Sequence, residues 1–192
     1  MSIMLNSAAL TAPLKTDVEL LRQVAAGDTS AFDELYVLYG GIVYNYLLRL
    51  VNESPIAEEL LQEVFLAVWQ GADRFRAEAK VKTWLLRIAH YKAVSWLRRH
   101  RPASSLDEAT DIAEDDHIDE SLVRAWQADR VRAALTELSP KHRAVIELAF
   151  VHDLPYTDIA RIVDCPVGTV KSRMSYALRH LTAVLGEQQA AD

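Results

Sequence analysis

Between Arg74 and Arg101 nine cationic side chains (Arg74, Arg76, Lys80, Lys82, Arg87, Lys92, Arg98, Arg99 and Arg101) face a single acid, Glu78. Phe75, Trp84, Tyr91 and Trp96 are interleaved with them. Cations track a phosphate backbone and aromatic faces receive unstacked bases, so this mixture suits strand-separated nucleic acid. A solvated basic helix with Trp84 and Trp96 in the core would explain the aromatics, but not a nine-to-one charge imbalance.

A second stretch with chemical potential is Asp164-Cys165-Pro166-Val167-Gly168-Thr169-Val170-Lys171-Ser172-Arg173. Cys165 is the only cysteine, which excludes an internal disulfide and any zinc site needing two thiolates. Beside Pro166 it reads as a small apolar side chain in a turn. Tyr156 to Val163 forms a short helix before this break, and a longer one follows it. In the longer helix Val170, Met174, Ala177, Leu178 and Leu181 make an inward stripe. Ser172, Ser175 and Arg179 face outward, flanked by Lys171, Tyr176 and Thr182. Short helix, tight turn, then a helix with a polar outer face is the layout of a helix-turn-helix, whose second helix enters the major groove. An isolated helical hairpin would share that pattern.

A third stretch, Ala57 to Gln70, places Ala57, Leu60, Leu61, Val64 and Val68 on one helical face. Glu59, Gln62, Glu63 and Gln70 lie opposite, with Leu66 among them and Phe65 and Trp69 on the margins. Carboxylates around apolar anchors suit docking onto a basic protein surface. An amphipathic helix with its aromatics folded under the core is the plainer account of this pattern alone.

These stretches need helices to position them, and the composition provides for helices. The 192 residues include only 6 Gly and 6 Pro, and 51% are apolar, enough for real cores. Helices are predicted from Leu20 to near Gly27, from a cap at Asp28-Thr29-Ser30 to Tyr39, and from about Ile42 to Val51. Further helices are predicted from Ser54-Pro55 to about Gly71 and from about Val81 to His100. Periodicity then disappears between Ala103 and Glu120, where eight carboxylates (Asp107, Glu108, Asp111, Glu114, Asp115, Asp116, Asp119, Glu120) read as a flexible acidic linker. It returns at Val123 to Leu138 and from Pro140 to about Val151. The fold expected is all-α: two helical domains joined by that linker, with boundaries at 17–101, 102–120 and 121–187.

The net charge of −6 hides this segregation and does not exclude nucleic acid. No basic start followed by an apolar run marks the N-terminus, and no stretch approaches a membrane span. The reading is a cytoplasmic protein without direct membrane insertion. The six histidines show no HExxH or other metal spacing, so neither metal nor cofactor is expected.

Taken together, the stretches resemble the extracytoplasmic-function (ECF, group IV) sigma factors of bacterial RNA polymerase, over about residues 17 to 185. "AEELLQEVFLAVWQGADRFR" resembles the core-polymerase-binding segment, "TWLLRIAHYKAVSWLRRHR" the promoter −10 segment, and "LSPKHRAVIELAFVHDLPYTDIARIVDCPVGTVKSRMSYALRHL" the −35-reading domain. The resemblance implies that Glu59, Gln62, Glu63, Phe65 and Trp69 dock on the β′ clamp helices, with the second domain meeting the β flap. It implies that Arg76, Lys80, Lys82, Trp84, Tyr91, Lys92, Arg98, Arg99 and Arg101 melt and hold the −10 element of promoter DNA. Thr169, Lys171, Ser172, Arg173, Ser175, Tyr176 and Arg179 would read the −35 element. An anti-sigma factor, often membrane-anchored, is implied as a regulator, and no catalysis by the chain itself. The acidic linker would occupy the polymerase's basic channel as a nucleic-acid mimic. Many members carry Asn followed four residues later by Asp where this chain has Tyr91 and Ser95, so no base preference carries over. The reading from another class is a stand-alone helix-turn-helix regulator, which would bind palindromic DNA as a homodimer without polymerase.

Overall fold

The computed structural model describes residues 16–100 and 129–190, and the predicted acidic linker and Arg101 lie outside them. The first group of helices is α1 (Asp17–Ala25), α2 (Thr29–Val51), α3 (Ser54–Gly71) and α4 (Val81–His100), with a 3-10 turn at Ala72–Arg74. The second is α5 (Asp129–Glu137), α6 (Pro140–Ile146), a π-helical turn at Glu147–Val151, α7 (Tyr156–Val163) and α8 (Val167–Ala190). No strand occurs among the described residues.

Local chemistry sets the helix starts. Thr16 and Glu19 form a reciprocal capping box on α1, the Glu19 amide donating to Thr16 Oγ1 at 3.3 Å and the Thr16 amide to Glu19 Oε2 at 2.9 Å. Asp28 caps α2 by accepting from the Ser30 and Ala31 amides at 2.9 and 3.2 Å. α2 ends at Asn52, whose left-handed φ of 61° closes the helix. In α3 Ser54 is the first helical residue rather than the cap, and its hydroxyl pairs with the Tyr44 hydroxyl at 2.9 Å.

One expectation fails. The sequence predicts one helix ending at Tyr39 and another starting at about Ile42, yet α2 runs unbroken through Gly40 and Gly41. Tyr39, Gly40, Val43, Tyr46 and Leu47 lie buried along its length against α1, α3 and α4, and that burial outweighs the poor helix propensity of glycine. At Gly40 an added Cβ would meet the Tyr36 ring at 3.5 Å, an ordinary contact. Exposed Gly41 has nothing within 4 Å. Gly41→Ala is therefore expected to raise stability by about 0.5–1 kcal/mol, read as a higher denaturant midpoint with unchanged slope.

Leu20, Leu21, Leu35, Tyr46, Leu47, Leu50, Leu60, Leu85 and Leu86 fill the core of the first domain. Ala134, Ile146, Leu148, Ile159, Val170, Met174 and Leu181 fill that of the second. The domains touch: α7 packs on α4, and α6 packs on α2.

Candidate nucleic-acid and partner interfaces

The buried stripe of α3 (Ala57, Leu60, Leu61, Val64, Val68) turns the opposite face outward. Glu59, Gln62 and Gln70 are exposed there, Leu66 is 57% exposed and Trp69 36%. Phe65 is not on this surface. It is 3% exposed, with its ring centroid 4.7 Å from Tyr36 and 6.0 Å from Phe32. Phe32 also supports Trp69 edge-on at 5.3 Å. Tyr36, 45% exposed, joins the apolar patch from α2.

Glu63 ties this patch to the next surface, since its Oε2 accepts from Lys92 Nζ of α4 at 2.8 Å. Sequence reasoning had assigned the two residues to different partners. With Lys92 so engaged, the outward stripe of α4 is Arg87, Tyr91, Val94 and Arg98, with Tyr91 70% exposed. Arg99 is exposed beside them and donates to the Ser95 carbonyl at 3.2 Å. Trp96 stacks on His100 with centroids 4.6 Å apart. At the start of α4, Arg74, Phe75, Arg76, Trp84 and Arg87 line a cleft of about 330 Å³, and Arg161 of α7 completes it. Lys80 is exposed near this end, whereas Lys82 Nζ donates to the His152 carbonyl at 2.9 Å. Its partial burial there lowers the ammonium pKa.

On the third surface α7 ends at Asp164, whose left-handed φ of 52° turns the chain towards α8. The stripe Val170, Met174, Ala177 and Leu181 is buried, as its spacing predicts. Lys171 and Arg179 are exposed, while Thr169, Ser172, Arg173, Ser175 and Tyr176 are half-buried. Ser172 Oγ donates to the Thr169 carbonyl at 3.1 Å. Tyr176 stacks on His142 with centroids 4.3 Å apart, so its ring braces α8 against α6. Burial raises the Cys165 thiol pKa, and Arg173 only partly offsets this, so the thiol is not an activated nucleophile.

Between the domains Tyr46 of α2 is fully buried, pairs with His90 Nδ1 at 2.8 Å and meets the His152 ring edge-on at 5.6 Å. Burial drives both imidazoles from 6.5 down to about 4, assisted by Arg173 at His90 and by Lys82 and Arg49 at His152. Unfolded histidines take up protons that these folded ones refuse. Their contribution is therefore complete above pH 6.5 and is lost as pH falls towards 4. Acidification from pH 7 to 5 should cost about 2 kcal/mol for each ring, and His152→Gln should flatten that slope in thermal melts.

Residues 35–103 match the family model Sigma-70 region 2, and residues 128–181 match Sigma-70, region 4. The ECF RNA polymerase sigma factor SigK of Mycobacterium tuberculosis (strain H37Ra) is 33% identical over 179 residues, covering 88% of this chain and 93% of that protein. The chain belongs to the ECF RNA polymerase sigma factors. SigK of Mycobacterium sp. (strain KMS) is 32% identical over 189 residues, covering 93% of the chain and 98% of SigK. Among solved structures, the sigma factor RpoE in complex with the anti-sigma factor NepR from Bartonella quintana gives a TM-score of 0.62 at 26% identity. That match covers 81% of this chain and 96% of RpoE. CnrH, solved with the cytosolic domain of CnrY, shares the fold with a TM-score of 0.66 at 24% identity, over 90% of this chain and 99% of CnrH.

In this sigma factor the region 2 match spans α3, α4 and most of α2, and so includes the carboxylate-aromatic patch and the cationic stripe. The region 4 match spans the helix-turn-helix. What sequence reasoning missed lies between the two. Glu147, 1% exposed, accepts from Arg49 at 3.1 Å, and Arg143, 3% exposed, donates to the Arg49 carbonyl at 3.0 Å. A signal was present, since Glu147 interrupts the apolar run Ala144-Val145-Ile146-Leu148 and Arg143 borders it. A charge in such a run marks a buried, paired group.

Proposed function

We propose that the chain recruits core RNA polymerase to promoters through three surfaces. Glu59, Gln62, Glu63, Leu66 and Trp69 dock on the β′ clamp helices, with Tyr36 widening the apolar centre and Phe65 holding it up from below. Arg76, Lys80, Arg87, Tyr91, Arg98 and Arg99 hold the melted −10 strand, joined by Lys82 and Arg101. Lys171, Arg173 and Arg179, with Thr169, Ser172 and Ser175, face the −35 duplex from α8. The functional units are 17–101 for polymerase and −10 binding, 102–120 as linker and 121–187 for −35 recognition and the β flap. No bond is made or broken by the chain. It lowers the barrier to initiation by binding opened strand more tightly than closed duplex, while the polymerase makes the RNA.

The observation that carries this reading is the Glu63–Lys92 pair at 2.8 Å. It joins the protein-docking patch of α3 to the strand-binding stripe of α4, and the packing of these two helices on each other keeps the stripe at a set distance from the patch. An anti-sigma factor would restrain the protein by covering these surfaces, as the complex of the related RpoE with NepR supports. The protein would act in the cytoplasm, held at the membrane face where that regulator is membrane-anchored. Among the described residues no helix is long and apolar enough to cross a membrane. Run-off transcription with core polymerase on a promoter library tests the proposal. Initiation at a defined subset of promoters is expected, and none with an active core control would refute it.

A further inference from the structure

The cleft at the start of α4 concentrates positive charge where few carboxylates answer it. Arg74, Arg76, Arg87 and Arg161 line about 330 Å³, with Glu78 the one acid among the lining residues. Arg161 donates to Asp158 at 3.2 Å and Arg87 approaches Asp164 at 4.0 Å, so these two cations are partly screened. Arg74 and Arg76 are exposed and form no ion pair with any described residue. Guanidinium groups converging on one hollow repel one another unless an anion lies among them. The backbone is bent to gather them. Ala77, between Arg76 and Glu78, holds a left-handed φ of 55°, a conformation that costs free energy in a residue with a Cβ. The rest of the wall offers other chemistry. Phe75 and Trp84 are half-buried, with their rings edge-on and centroids 5.5 Å apart. Thr83 is 2% exposed, and its hydroxyl has no partner among the described residues.

Each part of the wall selects a different portion of a ligand. Planar guanidinium forks take phosphate oxygens in pairs. Four arginines less Glu78 give the lining a charge of +3, close to the roughly −3 to −4 carried by a terminal di- or triphosphate near neutral pH. Aromatic rings beside those cations suit a planar base. The volume lies within the usual range for small-molecule sites, about 300–1,000 Å³. We propose that this cleft binds a free nucleoside di- or triphosphate. The polyphosphate lies among Arg74, Arg76, Arg87 and Arg161, the base lies against Phe75 and Trp84, and Thr83 supplies a hydroxyl donor in the wall. Arg74 and Arg161 belong to neither DNA-reading set named above, so they isolate the cleft from those surfaces. Arg76 and Arg87 are shared with the strand-binding stripe, so a bound nucleotide competes with the −10 strand for them. That consequence alone rests on the proposed function.

Isothermal titration calorimetry on the full chain tests the site, with GTP, ATP and inorganic tripolyphosphate as probes and neither DNA nor polymerase present. Both nucleotides are expected to bind at one site per chain. Tripolyphosphate lacks a base and should bind about tenfold more weakly. Arg74→Ala combined with Arg161→Ala should weaken both nucleotides at least about tenfold, because each change removes charge-assisted hydrogen bonds. Lys171→Ala combined with Arg179→Ala removes the same two charges from α8 and should leave the affinities within about twofold. All four side chains are exposed, so both double variants keep the fold. Affinities that fall equally in the two variants would overturn the site, as would the absence of nucleotide binding by the unsubstituted chain. Equal affinity for tripolyphosphate and GTP would overturn the nucleoside and leave inorganic polyphosphate as the ligand. Nucleotide binding of the expected pattern in a chain that supports no promoter initiation would uphold the site and count against the proposed function instead.

Discussion

Replacing Glu63 by Arg together with Trp69 by Ala is expected to weaken binding to core polymerase by at least about a hundredfold, while the protein stays folded. Trp69 is the aromatic anchor of the α3 surface, backed edge-on by Phe32 at 5.3 Å. Truncating an aromatic at the centre of a protein interface commonly costs about 2 kcal/mol or more. Reversing Glu63 adds repulsion from a basic partner and frees Lys92 beside it. The fold should tolerate the change. The Glu63–Lys92 pair is 39% and 30% exposed in its side chains and so contributes under about 1 kcal/mol. The lost aromatic contact costs about as much. Affinity is read by fluorescence anisotropy against core enzyme, and the fold by thermal melting. Unchanged affinity in a folded double variant would remove α3 as the docking surface. Phe65→Leu offers a contrast: Phe65 lies beneath the patch, so its replacement should lower the melting temperature before it lowers affinity.

How much of this was legible before the structure depends on sequence separation. Thr16, Asp28 and Asn52 act on amides or carbonyls within four residues, and of these Asp28 is legible as a cap in the sequence, whereas α1 begins at Asp17, three residues before the predicted Leu20. The buried stripes of α3 and α8 follow from the helical period alone. Gly40-Gly41 misled because glycine's cost is local while its compensation, the packing of α2 on three other helices, is not. Phe65 sat at the margin of its helical wheel, and only the position of Phe32 and Tyr36 on α2 decides that it points inward. Glu63 and Lys92 lie 29 residues apart, and Arg49 and Glu147 lie 98 apart. No periodicity links such positions. The three surfaces were therefore visible singly, whereas the way they are joined and partly covered was not.

Arg143→Ala is expected to be the most destabilising single substitution, lowering the stability of the second domain by about 3–5 kcal/mol. The side chain is 3% exposed, and its guanidinium spreads over three carbonyls. Nη2 donates to those of Thr136 and Leu138 at 2.7 and 2.9 Å, and Nη1 to that of Arg49 at 3.0 Å. The first two lie at the C-terminal end of α5, where a helix leaves carbonyls without amide partners. Alanine would strand all three and remove a positive charge that stabilises buried Glu147. Arg143→Lys should recover only part of the loss, because one ammonium cannot span the fork that a planar guanidinium covers. Arg143→Met, which restores volume without donors, should behave nearly as badly as alanine. For a unit of this size, 3 kcal/mol corresponds to a fall in melting temperature of about 12–24 °C. A melting temperature within about 3 °C of wild type for Arg143→Ala would mean that water replaces the guanidinium at these carbonyls, and that the corner between α5 and α6 is held by its apolar packing alone.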